Sequence, residues 1–131
     1  HLIFELLTWM ENNKADFTNT FCNLMDIQFI KDPIYQNQEY LNWTAKWKKR
    51  LEKNNTEKEK YLELMRSVNP IFIPRNHKVE EALKDASENK LETLNQLLEV
   101  IKYPYKDNGM LKDYQQPMSN ENGEYKTFCG T

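Results

Sequence analysis

The stretch "NKLETLNQLLEVIK", Asn89 to Lys102, decides how the chain reads. Leu91, Leu94, Leu97, Leu98 and Ile101 recur at steps of three and four, so they line one side of a helix. Asn89 and Glu92 stand three apart just ahead of that stripe, the spacing at which two side chains cap a helix start. Working back along the chain, Asn76 offers a cap for a helix to about Ser87 that buries Val79, Ala82, Leu83 and Ala86. Earlier still, Thr56 and Glu59 have capping-box spacing ahead of Tyr61, Leu62, Met65 and Val68. Tyr40, Trp43, Trp47 and Leu51 give a stripe from about Asn37 to Lys53. Leu2, Ile3, Leu6, Leu7 and Met10 form one at the start, and Phe17, Phe21, Leu24 and Met25 form the next. A short polar turn between these last two predicts an antiparallel helix pair.

Glycine use supports the same class. Gly109, Gly123 and Gly130 are the chain's 3 glycines, so the first 108 residues hold no glycine-rich phosphate loop and few helix breakers. Two breaks interrupt the helical pattern. Pro33 ends any helix before it, and "VNPIFIPRN" encloses Ile71, Phe72 and Ile73 between Pro70 and Pro74, an extended segment inserted in the core. After Tyr103-Pro104 no period is sustained. The expectation is an all-α chain of six or seven helices, with a helical domain over 1–103 and an irregular C-terminal tail over 104–131.

Composition narrows the function classes. Apolar residues make 39% and charged residues 29% of 131, and the formal charge is -2. A near-neutral chain has no global field for nucleic acid or an anionic membrane. Glu5 interrupts the apolar run of the first residues, which is too short to span a bilayer. Two cysteines make no disulfide framework, so a cytoplasmic location is expected. Asn42-Trp43-Thr44 and Asn54-Asn55-Thr56 fit the glycosylation triplet, which is common by chance.

No chemical constellation assembles from spacing. His1 and His77 have no Cys or His at ligand spacing, and Asp107-Asn108-Gly109 lacks the twelfth-position glutamate of a calcium loop, so no metal site is expected. Glu80, Glu81, Asp85 and Glu88 solvate a helix face. Lys46, Lys48, Lys49, Arg50 and Lys53 spread over the wet side of a helix whose Trp47 turns inward; this reads as a solvated surface, and no nucleic-acid partner is expected. Cys22 falls among apolar helix positions and reads as packing. Cys129, in the terminal "YKTFCGT", has no activating neighbour beyond Lys126.

Four segments in order change this picture. "ADFTNTF", "MRSVNPIFIPRNHKVEEAL", "LLEVIKYPY" and the terminal "FCGT" resemble the C-terminal region of the selenoprotein O family, over practically the whole chain. The resemblance implies a kinase-like protein adenylyltransferase, which moves AMP from ATP to protein hydroxyls with Mg or Mn, and, for a eukaryotic source, a mitochondrial location. Such chemistry needs a phosphate-covering loop, a lysine–glutamate pair and metal-holding Asp and Asn residues. None of these motifs is in the chain, which therefore looks like the helical end of a kinase-like lower lobe, with no catalytic residue and no cofactor of its own. The implied partners are the family's N-terminal kinase-like core and, for the whole enzyme, its protein substrates; no membrane partner is expected. One regulatory position is implied: Cys129 matches the family's third-from-last selenocysteine or cysteine, which is linked to redox control through a cysteine of the core. Here Gly and Thr follow it, where selenocysteine members have two serines. Asn69, Pro70, Arg75 and Asn76 match a structural motif that organises the break between helices. A free-standing helical interaction module without enzymatic activity is the alternative.

Overall fold

The computed structural model describes residues 1–27 and 30–118. Those residues are helical, with six α-helices, two 3₁₀ turns and no strand among them. The helices are α1 (Leu2–Asn12), α2 (Phe17–Leu24), α3 (Gln38–Lys53), α4 (Lys58–Val68), α5 (Asn76–Ser87) and α6 (Glu92–Lys102). The 3₁₀ turns are Pro33–Gln36 and Gly109–Tyr114. The all-α expectation holds. The chain divides into two compact units, the first from His1 to Ile71 and the second beginning at Phe72.

In the first unit, short polar side chains start the elements. Asp16 accepts the Asn19 N–H at 2.9 Å, Asp32 that of Ile34 at 2.9 Å, and Asn37 that of Glu39 at 2.8 Å. The partner of α1 is α3 rather than the expected α2. Aromatic residues decide this. The tilted rings of Trp9 and Tyr40 meet at 4.6 Å between centroids, and the Trp43 indole N–H donates to the Leu2 carbonyl at 2.8 Å. Lys46 pairs with Glu5 at 2.9 Å across the same two helices. On α1 the buried residues are Leu6, Trp9 and Met10, so Trp9 takes the inward place expected of Ile3 and Leu7. The second helix turns Asn19, Thr20, Cys22 and Leu24 inward and leaves Phe17 exposed against Phe21.

The expected caps at Thr56, Asn76 and Asn89 are absent. Helix α4 starts behind Glu57 without a side-chain cap bond, and Thr56 instead turns its hydroxyl to the Asn54 carbonyl. Only Leu62 of its apolar stripe is buried, while Val68 is exposed. With glycine scarce, the left-handed residues after helices are Lys14, Asp26, Asn55 and Asn89, with φ of 52°, 59°, 50° and 61°.

In the second unit α5 and α6 pack on each other. Asn89 ends the first of these rather than capping the second, because its left-handed backbone follows the Glu88 C-cap. The Thr93 hydroxyl then donates to Asp85 at 2.6 Å, fastening the start of α6 to α5. Leu97 and Val100 are the buried residues of α6, so the inward stripe is rotated from the expected one and Leu91 and Leu98 face out. On α5 only Ala82 is fully buried, and Leu83 is exposed. Asn108 caps the 3₁₀ turn at Gly109–Tyr114 by accepting the Met110 N–H at 3.2 Å.

Candidate functional site

The break between α4 and α5 carries the residues that sequence singled out. In the first unit, Asn69 closes α4: its backbone N–H and its side-chain amide both donate to the Met65 carbonyl at 2.9 Å. Pro70 then forbids further helix. Its carbonyl accepts the Cys22 thiol at 3.7 Å, and Cys22 is fully buried. A thiol so enclosed is out of reach of reagents and serves packing.

In the second unit, the Phe72 N–H donates to the Pro104 carbonyl at 3.1 Å. The "FIPRN" and "YPY" segments are thereby tied together. Arg75 donates its N–H to the Ile73 carbonyl at 2.9 Å, and its own carbonyl accepts from Lys78 at 2.9 Å and Val79 at 3.0 Å. Arg75 is thus the N-cap of α5, one place earlier than the expected cap Asn76, which is the first helical residue. Arg75 is itself extended, with φ of -66° and ψ of 134°, and the helical backbone begins at Asn76. The Arg75 side chain is 9% exposed.

Arg75, Asn76 and His77 line a cleft of about 280 Å³ with Pro117 and Met118. Burial, and then the charges of Lys78 and Arg75, push the His77 pKa below its ordinary value. The neutral imidazole is favoured, able to donate one hydrogen bond and accept one. The cationic Lys78 and Arg75 oppose a further cation here. Among the described residues no three His, Cys, Asp or Glu side chains come together to hold a metal ion.

A larger cleft of about 560 Å³ opens between α6 and the Gly109–Tyr114 turn, walled by Val100, Tyr103, Leu111 and Tyr114. The Tyr114 hydroxyl and the Gln96 side-chain oxygen lie 3.3 Å apart, and the Lys78 ammonium stands 5.6 Å from the Tyr114 ring centroid. Sequence reasoning missed this cleft, because Leu111 and Tyr114 sit where no period is sustained. The only signal was "YPY", which supplies Tyr103.

The first unit has an aromatic core. Trp9, Tyr35, Tyr40, Trp43, Trp47 and Tyr61 follow one another with ring centroids 4.6 to 6.4 Å apart. Burial pushes the Tyr35 phenol up to about 12, against a lowering hydrogen bond from Thr20. Burial also raises Tyr40, with Tyr35 adding to it. Trp47 turns inward as expected, and Lys48, Lys49, Arg50 and Lys53 are exposed. Cys129 lies outside the described residues.

Comparison with known proteins adds to this geometry. The family model for protein adenylyltransferase SelO matches residues 1–102. A protein nucleotidyltransferase YdiU of Pelagibacter ubique is 42% identical over 131 residues, which is 100% of this chain and 27% of that protein. The protein of the same name from Nitrosococcus oceani is 42% identical over 127 residues, 96% of this chain and 26% of its own length. That of Clostridium perfringens strain SM101 is 41% identical over 130 residues, 99% and 26% respectively. The chain spans about 27% of the length of the curated relatives it matches. No solved structure matches it.

Proposed function

The chain belongs to the SelO family of protein adenylyltransferases, and on that premise we propose that it is the C-terminal helical region of a larger enzyme that transfers AMP from ATP to protein hydroxyls. The observation that carries the reading is the alignment itself. A relative named for nucleotidyl transfer matches 100% of this chain, yet the match takes up only 27% of that relative. The role of this region is to support the kinase-like core. In this reading ATP and its Mg or Mn belong to that core, whose chemistry needs a loop to cover the phosphates; the first 108 residues here contain no glycine.

Within this reading Cys129 is a regulatory thiol that pairs with a cysteine of the core, and Asn69, Pro70, Arg75 and Asn76 hold the break between helices in shape. Support for the structural role comes from the bonds of Asn69 to Met65 and of Arg75 to Ile73, Lys78 and Val79. The protein substrates are engaged by the whole enzyme. The relatives named above are bacterial, and among the described residues no helix is long and apolar enough to cross a membrane; a cytoplasmic location is part of the proposal. The reading frame upstream of His1 tests it. A kinase-like sequence there supports the reading, and a start codon directly before His1 overturns it in favour of a free-standing interaction module.

A further inference from the structure

Helix α1 is apolar around more of its circumference than its own unit covers. In LIFELLTWMEN only Glu5, Thr8, Glu11 and Asn12 are polar, yet the buried residues are Leu6, Trp9 and Met10 alone. Ile3 and Phe4 are 73% and 75% exposed, and Leu7 is 41% exposed. Spaced i, i+1 and i+4, these three share one side of the helix. A helix apolar on most sides is normally covered on most sides. One side of α1 is already used, by Trp9 on Tyr40 and by the Trp43 indole on the Leu2 carbonyl. Next to the uncovered side, a cleft of about 540 Å³ runs between α1 and α3, and Phe4 forms part of its wall opposite Trp43. Glu5 and Lys46, two of the charged residues that line this cleft, are paired to each other at 2.9 Å. That pair compensates itself, and the exposed Ile3, Phe4 and Leu7 side chains beside it favour an apolar occupant.

We propose that the Ile3–Phe4–Leu7 face and the adjoining α1–α3 cleft are the seat of the rest of the same polypeptide, an apolar surface from outside residues 1–131. This rests on the reading of the chain as one region of a larger enzyme. The length of the relatives argues for that occupant, since one matched over 100% of this chain has 73% of its own length outside the match. A segment on the same polypeptide reaches the face at high effective concentration, ahead of any second copy.

The test uses the family-length protein with photoreactive benzoyl-phenylalanine in place of Phe4, and in a control in place of exposed Lys49. Irradiation followed by peptide mapping is expected to link position 4 to residues of the same polypeptide outside 1–131, at monomer mass, with no such link from position 49. A cross-linked dimer assigns the face to a second copy and overturns the proposal, as does the absence of any link from position 4. As a second variant, Leu7→Cys should react with a maleimide at least about tenfold more slowly than Lys49→Cys, because the docked side opens only transiently; equal rates overturn the proposal. AMP transfer by the same preparation reports on the functional reading separately. Transfer without a cross-link removes the docking face alone, whereas a cross-link without transfer upholds the face and counts against the functional reading.

Discussion

The backbone N–H of Phe72 donates to the carbonyl of Pro104 at 3.1 Å, joining two segments that lie far apart in the chain. Phe72 is 1% exposed, so its ring is the apolar anchor of that junction. Phe72→Ala should lose about 3–5 kcal/mol of stability through lost burial and the cavity left behind. Phe72→Leu, which keeps most of the volume, should lose less than half as much. Denaturant unfolding followed by circular dichroism measures both, and equal small losses would mean that the ring is not packed.

Lys14 follows α1 with φ of 52°, a left-handed backbone that glycine adopts without a side-chain clash. Lys14→Gly should therefore raise stability by about 0.5–1 kcal/mol, the relieved strain less the entropy that glycine loses on folding. A rise in the thermal midpoint is the expected result.

The pKa of His77 is lowered on folding, by burial first and by Lys78 and Arg75 next. The unfolded chain then binds the proton more tightly, so this contribution is complete above the unfolded value of 6.5 and is lost as pH falls through it toward the folded value. Stability should decline over that mildly acidic window, and His77→Gln should flatten the decline. Unfolding midpoints across the window measure it.

At alkaline pH the sign reverses. Tyr35 rises from 10.0 to about 12 on folding, and Tyr40 is raised as well, because burial disfavours both phenolates. The stability they contribute is present below the unfolded value and is lost as pH climbs through it. In the native protein two tyrosines should therefore ionise late when phenolate absorbance is followed, and Tyr35→Phe should remove one of them.

Helix positions were legible in the sequence because apolar period and proline breaks act locally. The α3 stripe shows this: Tyr40 and Trp43 are buried, and Asn37 caps the helix where the pattern begins. What faces inward was less legible, because it depends on the partner. Trp9 replaced Ile3 and Leu7 once the Tyr40 ring was available to pack on, and Val100 replaced Leu98 on α6. Cap spacing also misled: Thr56–Glu59 and Asn89–Glu92 have the right interval, but the chain enters α4 behind Glu57 and α6 behind Leu91. Family membership was readable from "NPIFIPRN" and its companions, since such segments are specific in combination. The cleft at Tyr103 and Tyr114 was not, as a 3₁₀ turn of six residues leaves no period to see.

The central claim is that this region supports AMP transfer without performing it. Labelled ATP, a divalent metal ion and a protein acceptor, supplied to the 131-residue chain and in parallel to the family-length protein, test it most directly. The account predicts label on protein with the family-length enzyme and none with the chain alone; label transferred by the chain alone would contradict it.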